Sequence, residues 1–182
     1  MQRRLTELVD YVDMQRSAIL TAASAVPAHR WAERPAPVRW SIAELFEHLS
    51  KVEHSCARVI AKRAAEARSA NVGPEGEESS VIGALDGKHL TDRSTPWQAP
   101  ESVAPAGGWT GARALAAITA SRAELHQAMR DADGLALGSI RHPHLTLGEL
   151  DLYQWILFVG QHEARHLSQL HEIVAQLGAP AS

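Results

Sequence analysis

Cysteine is nearly absent from the chain, with Cys56 its one representative among 182 residues, so no intramolecular disulfide can staple the fold. Cys56 falls on an apolar helical face with nothing beside it in sequence to activate a thiol. It reads as a small core residue rather than a nucleophile. Any thiol chemistry here would have to draw its thiol from outside. Long apolar runs are missing as well. The run from Trp155 to Gly160 is far too short to cross a bilayer, and the opening MQRRLTELVDYVD carries charges in its first turns, with no uninterrupted apolar stretch. A membrane partner and a signal peptide are therefore not expected, and the cytoplasm is the default location. A clustered basic footprint is lacking too. The formal net charge is −3 with both signs scattered along the chain, so nucleic acid is not an expected partner. Lysine occurs only at Lys51, Lys62 and Lys88, the other basic residues being arginine, and this bias carries no functional reading.

What is present is an ordinary globular balance, 45% hydrophobic and 21% charged, in a length that suits one domain over residues 1–182 with a full-sized core. The apolar residues recur with helical period. Leu5, Leu8, Val9, Val12, Ile19 and Leu20 predict a first amphipathic helix over about residues 2–25. Pro27, Pro35 and Pro37 break it, and Trp31 between them reads as cover for the bundle end. Ser41 and Glu44 form a Ser-x-x-Glu capping box that opens a second helix. On that helix Leu45, Phe46, Leu49, Val52, Cys56, Val59 and Ile60 share a face with His48 at its edge, while His54 points the other way among polar residues.

From about Ser69 to Thr110 the period disappears into Gly, Pro, Ser and acidic residues. A connection this long fits a crossover that lets the second and third helices run parallel, with a short helical turn near Val81 to Leu85; a substrate lid is the second reading. The third helix is expected over about residues 111–130, with Leu115, Ile118, Leu125 and Met129 on one face. Arg122 and His126 project between them, Arg122 as an ion-pair member or an anion-binding group. Thr146 and Glu149 repeat the Thr-x-x-Glu capping pattern and predict the start of a fourth helix that Gly178 and Pro180 stop. The architecture expected is all-α, a four-helix bundle with a long crossover between helices 2 and 3.

Within the fourth helix, His162 and His166 are four residues apart, one turn on the same face. That face also carries Trp155, Val159, Leu170, Ile173 and Leu177; His171 lies opposite. With His48 they make three inward-facing imidazoles. Two readings stand at this point, a shared metal ion or three separately hydrogen-bonded core histidines. Neutral imidazoles suit zinc, nickel, iron or copper rather than magnesium or calcium, and three protein ligands would leave a coordination position open, as catalytic sites do.

The second-helix entry WSIAELFEHL, the turn HPHLTLGEL and the run WILFVGQHEARHLSQL, with its HExRHxxQ pattern, resemble the DinB/YfiT superfamily of metal-binding four-helix bundles. The resemblance covers about Trp40 to Gln176. It implies that His48, His162 and His166 occupy the family's metal-ligand positions, for one divalent metal, zinc or nickel ahead of iron. It also implies a homodimer and a long crossover. Some members transfer a low-molecular-weight thiol such as bacillithiol, mycothiol or glutathione to an electrophile, or use the thiol as cofactor in an isomerisation; others have no assigned reaction. The HxxxHxE extension of related iron-dependent sulfoxide synthases is absent, Ser168 standing in place of that glutamate. The function these residues point to is a metal-dependent thiol transferase acting on a small-molecule substrate, with Arg122, His126 and Gln169 orienting substrate or supporting the ligands. The alternatives are a zinc-hydroxide hydrolase and a non-catalytic stress or metal-binding module.

Overall fold

The computed structural model describes residues 1–94 and 97–178, so Pro180 lies outside the described residues. Helix α1 spans Arg3–Ala23, α2 Ile42–Ser69, α3 Gly111–Ala132 and α4 Leu152–Gly178. Short 3-10 turns lie at Ala28–Arg30, Asp86–Lys88 and Leu137–Ser139. The start of α2 follows from its sequence: the Ser41 hydroxyl accepts from the Glu44 amide, and the Glu44 carboxylate accepts from the Ser41 amide. Thr110 caps α3 through the Arg113 amide.

Side-chain contacts fix the helix directions. Glu53 meets Ser121 and Arg122, and Arg68 reaches Asp131, so α2 and α3 run parallel. The pairs Tyr11 with Gly160 and Arg16 with Glu163 make α1 and α4 parallel as well. Contacts from Arg39 to Glu172 and from His48 to His162 set α2 antiparallel to α4. Two parallel pairs thus pack against each other, and only a long crossover can join α2 to α3 in that arrangement. The crossover holds a turn at residues 82–85, within the span expected from Val81 to Leu85, and it runs into the Asp86–Lys88 3-10 turn.

The approach of α1 to α4 depends on a missing side chain. A Cβ on Gly160 would lie 2.5 Å from Tyr11 Cε1, closer than carbon atoms approach, so the two helices meet where only glycine fits.

The fourth helix does not begin at Thr146. Residues Arg141–His144 and Gly148–Asp151 form strands β1 and β2 of an antiparallel hairpin, paired Arg141 with Asp151 through His144 with Gly148. Gly148 has φ +80°, a value that L side chains rarely adopt and that closes a three-residue hairpin loop. The Thr146 amide and hydroxyl face His144 Nδ1 instead of capping a helix. The working capping box lies five residues later. Asp151 accepts from the Gln154 amide at 2.9 Å, and the Gln154 side-chain oxygen accepts from the Asp151 amide at 3.0 Å.

Two apolar clusters fill the bundle. One holds Leu5, Leu8, Val12, Ile60, Leu125, Met129 and the start of α4; the other holds Ile19, Trp31, Phe46, Ile118, Leu170 and Ile173 at the opposite end. Trp31 is therefore part of that end's core, edge-on to Phe46, as its position among the prolines suggested. Leu115, expected on the buried face of α3, is 39% exposed.

A charged layer lies in the bundle interior, built from one residue of each helix: Arg16, Glu53, Arg122 and Glu163. Arg16 donates to Glu53 and Glu163, and Arg122 donates to both carboxylates and to Asp13. Ser121 adds a hydroxyl donor to Glu53. Each buried charge thus meets opposite charge and hydrogen bonds, the condition for keeping ions out of water.

Candidate metal centre

The layer of α2 and α4 beside these charges brings the three histidines together. His48 Nε2 lies 3.2 Å from His162 Nε2, and His166 Nε2 lies 3.1 Å from the same atom. Three nitrogens bound at about 2.0–2.1 Å to one ion would be separated by about 2.9–3.4 Å for right-angle to tetrahedral geometry, so the spacing fits a single metal. Together the three offer one ligand atom each within 4.8 Å of one another, a group that could hold a metal ion.

The outer nitrogens explain why the inner ones converge. His48 Nδ1 lies 2.9 Å from the Val103 carbonyl oxygen, which can only accept, so Nδ1 carries the proton and Nε2 presents a lone pair. His166 Nδ1 stands at 2.9 Å from Gln169 Oε1 with the same consequence. Two lone pairs are thereby aimed at His162 Nε2, and a single proton there could satisfy only one of them. A cation placed among the three nitrogens would meet both lone pairs at once.

Protonation does not resolve it either. Burial, reinforced by the neighbouring His166 and His48, holds His162 well below the ordinary imidazole value. Burial pulls His166 down to about 3, with His48 adding to the effect. His48 is also lowered by burial, against the opposing hydrogen bond to Val103. All three are neutral imidazoles at neutral pH, the form that binds metal.

Aromatic rings hold the imidazoles in place. Trp40 packs against His48 at 5.1 Å and stacks on His166 at 6.4 Å, while Phe158 stacks on His162 at 5.4 Å. The cluster opens into a cavity of about 730 Å³ walled by the β1–β2 hairpin, Trp155, Phe158, Val52 and residues of the crossover from 97 to 103. No carboxylate lines it among the described residues. The crossover thus does more than connect, since Val103 orients a histidine and its neighbours close one wall.

The remaining residues singled out from sequence divide. Gln169 supports His166. Arg122 belongs to the buried charged layer, the structural alternative of the two expected. His126 is half-buried and bonded to Asp13, away from the cavity. His54 and His171 are exposed, as their helix faces predict, and His54 pairs with Glu124. Cys56 touches the cavity, but burial, then the charge of Glu53, pushes its thiol far up and keeps it protonated.

Sequence reasoning missed three contributors. Phe158 could have been found by its spacing, one helical turn before His162, whereas Trp40 precedes α2 and has no such relation to His48. His144 stands 4.6 Å from the Phe158 ring and 5.1 Å from that of Trp155 at the cavity wall. No local signal pointed to it while the hairpin was read as a helix start.

The profile of the DinB superfamily matches residues 11–170 of the chain. The uncharacterized protein YuaE of Bacillus subtilis (strain 168) is 29% identical over 142 residues, covering 78% of this chain and 81% of that protein. No solved structure matches.

Proposed function

We propose that this chain, which belongs to the DinB superfamily, binds one divalent metal through Nε2 of His48, His162 and His166 and uses it to transfer a low-molecular-weight thiol to an electrophile. The observation that carries the metal is the pair of lone pairs fixed on His162 Nε2 by the outward hydrogen bonds to Val103 and Gln169. Zinc or nickel suits three neutral imidazoles best, with iron third. Bound there, such an ion supplies a Lewis-acidic centre that lowers the pKa of a coordinated thiol.

The chain's own groups do the rest. Val103 and Gln169 keep the ligand nitrogens unprotonated, and Trp40 and Phe158 fix the ring planes. The aromatic and aliphatic part of the cavity wall, with Val52, Trp155 and Phe158, suits an apolar electrophile. Cys56 is no internal competitor, because its thiol stays protonated. Hydrolysis has less support. Glu163, the carboxylate next to the ligands in sequence, is committed to Arg16 and Arg122, and no other carboxylate reaches the cavity among the described residues to act as general base.

Elemental analysis of protein purified without an affinity tag tests the metal. Wild type should carry one equivalent and His162→Ala far less; equal content refutes the site. Metal-dependent loss of free thiol in the presence of an apolar electrophile then tests the transfer.

A further inference from the structure

A second cleft, of about 550 Å³, adjoins the apolar cavity, sharing Trp40, Trp97, Arg165 and His166 with it and adding Arg39, Arg93 and Gln169. Three arginines and no carboxylate line it among the described residues. The acidic neighbour shared by Arg39 and Arg93 shows what that pair accepts. The Glu172 carboxylate bridges the two, one oxygen receiving Arg39 Nη2 and the other Arg93 Nη1 at 2.5 Å. Each guanidinium has five N–H donors in a planar fork, so both retain donors at the cleft wall beyond the one each gives Glu172. Glu172 itself is 42% exposed, so solvent and solutes reach the pair it bridges.

Arg165 adds to this character. Its guanidinium donates to the Leu90 and Asp92 backbone carbonyls and lies 5.2 Å over the Trp97 ring. The spacing of Arg39 and Arg93 is thus already matched to a carboxylate, and two tryptophans offer flat apolar surface beside it.

We propose that this cleft is a subsite for a carboxylate-bearing small molecule, gripped by Arg39 and Arg93 with its other end directed to the histidine cluster. Glu172 occupies the arginines when the ligand is absent and competes with it when present. What the ligand does at the histidines rests on the metal reading above, but its binding does not. The bipartite site then takes an anionic reactant from the arginine side and an apolar one from the hairpin side.

Titration of chelator-treated protein with succinate at low ionic strength, followed by tryptophan fluorescence, reads the subsite through Trp40 and Trp97. Succinate should give a saturable change. The Arg39→Gln/Arg93→Gln double variant should bind about tenfold or more weakly, the scale of losing charge-assisted bonds. Glu172→Gln should bind more tightly, because the competitor is gone, an opposite sign that a merely structural role would not produce. Arg30→Gln, outside the cleft, should match wild type. No response to succinate, equal affinity in the double variant, no tightening in Glu172→Gln, or tighter binding of inorganic phosphate than of succinate overturns the proposal. Because the titration is done without metal, a failed metal assay leaves it readable. Metal content of the double variant should in turn equal wild type.

Discussion

Removal of Glu53 tests whether the charged layer holds the bundle together. Glu53 is 1% exposed, receives Arg122 Nε at 2.7 Å and Arg16 Nη2 at 2.8 Å, and takes the Ser121 hydroxyl as well. In Glu53→Ala the layer changes from two arginines and two glutamates to two arginines and one glutamate, so that only Asp13, a half-exposed carboxylate at the edge of the layer, is left to offset the second positive charge. Breaking one side of a buried pair costs about 3–5 kcal/mol, because the remaining ion keeps its desolvation penalty and loses its partner. Set against a total of about 5–15 kcal/mol for a domain, that is a large fraction of the stability. Urea unfolding followed by circular dichroism should show the midpoint falling at nearly constant slope. Glu53→Gln, which keeps volume and one acceptor oxygen, should lose less. His54→Ala, which breaks the exposed pair with Glu124, should lose at most about 1 kcal/mol. A loss in Glu53→Ala no larger than in His54→Ala would refute the reasoning, since it would mean that water reaches the layer and screens it.

Metal-free protein should lose stability as pH falls below about 6.5, because His48, His162 and His166 have folded values below the unfolded one, so the unfolded chain takes up protons that the folded chain refuses. Their contribution is fully present above that pH and declines toward about 3, where His166 protonates; the thermal midpoint between about pH 6.5 and about pH 5, above the carboxylate range, should fall less steeply in His166→Gln, and an unchanged slope would count against burial as the cause. The homodimer implied by family resemblance predicts the mass of two chains in light scattering at micromolar concentration, and a single-chain mass removes it.

Much of the fold could be read from local patterns because the interactions that set it are local. The Ser41–Glu44 box, the apolar faces of α1 and α2 and the i, i+4 histidines each rest on residues within a turn or two. The long crossover was legible as a loss of period, and parallel α2 and α3 followed from its length. The charged layer was not legible in the same way. Arg16 and Glu53 look like solvated residues on amphipathic helices, and what buries them is partners up to 147 positions away. Arg122 could be recognised as inward-facing, yet its partners could not be named.

The misplaced start of α4 has a physical lesson that bears on the site. Thr146 and Glu149 have the right spacing for a capping box, and Asp151 and Gln154 have it too; the pattern alone cannot choose between them. Gly148 chooses, because its positive φ is a turn conformation that a first helical turn cannot contain, whereas Asp151 sits where the chain leaves the strand. Had α4 begun at Thr146, residues 146–151 would have continued the helix axis, and no hairpin would stand over the histidines. With the helix starting at Leu152, β1 and β2 fold back so that His142, Pro143 and His144 become cavity wall and the Trp155 indole N–H donates to the His142 carbonyl. A five-residue shift in a cap thus decides whether the hairpin stands as one wall of the cavity beside the three imidazoles or that side of α4 is left without it.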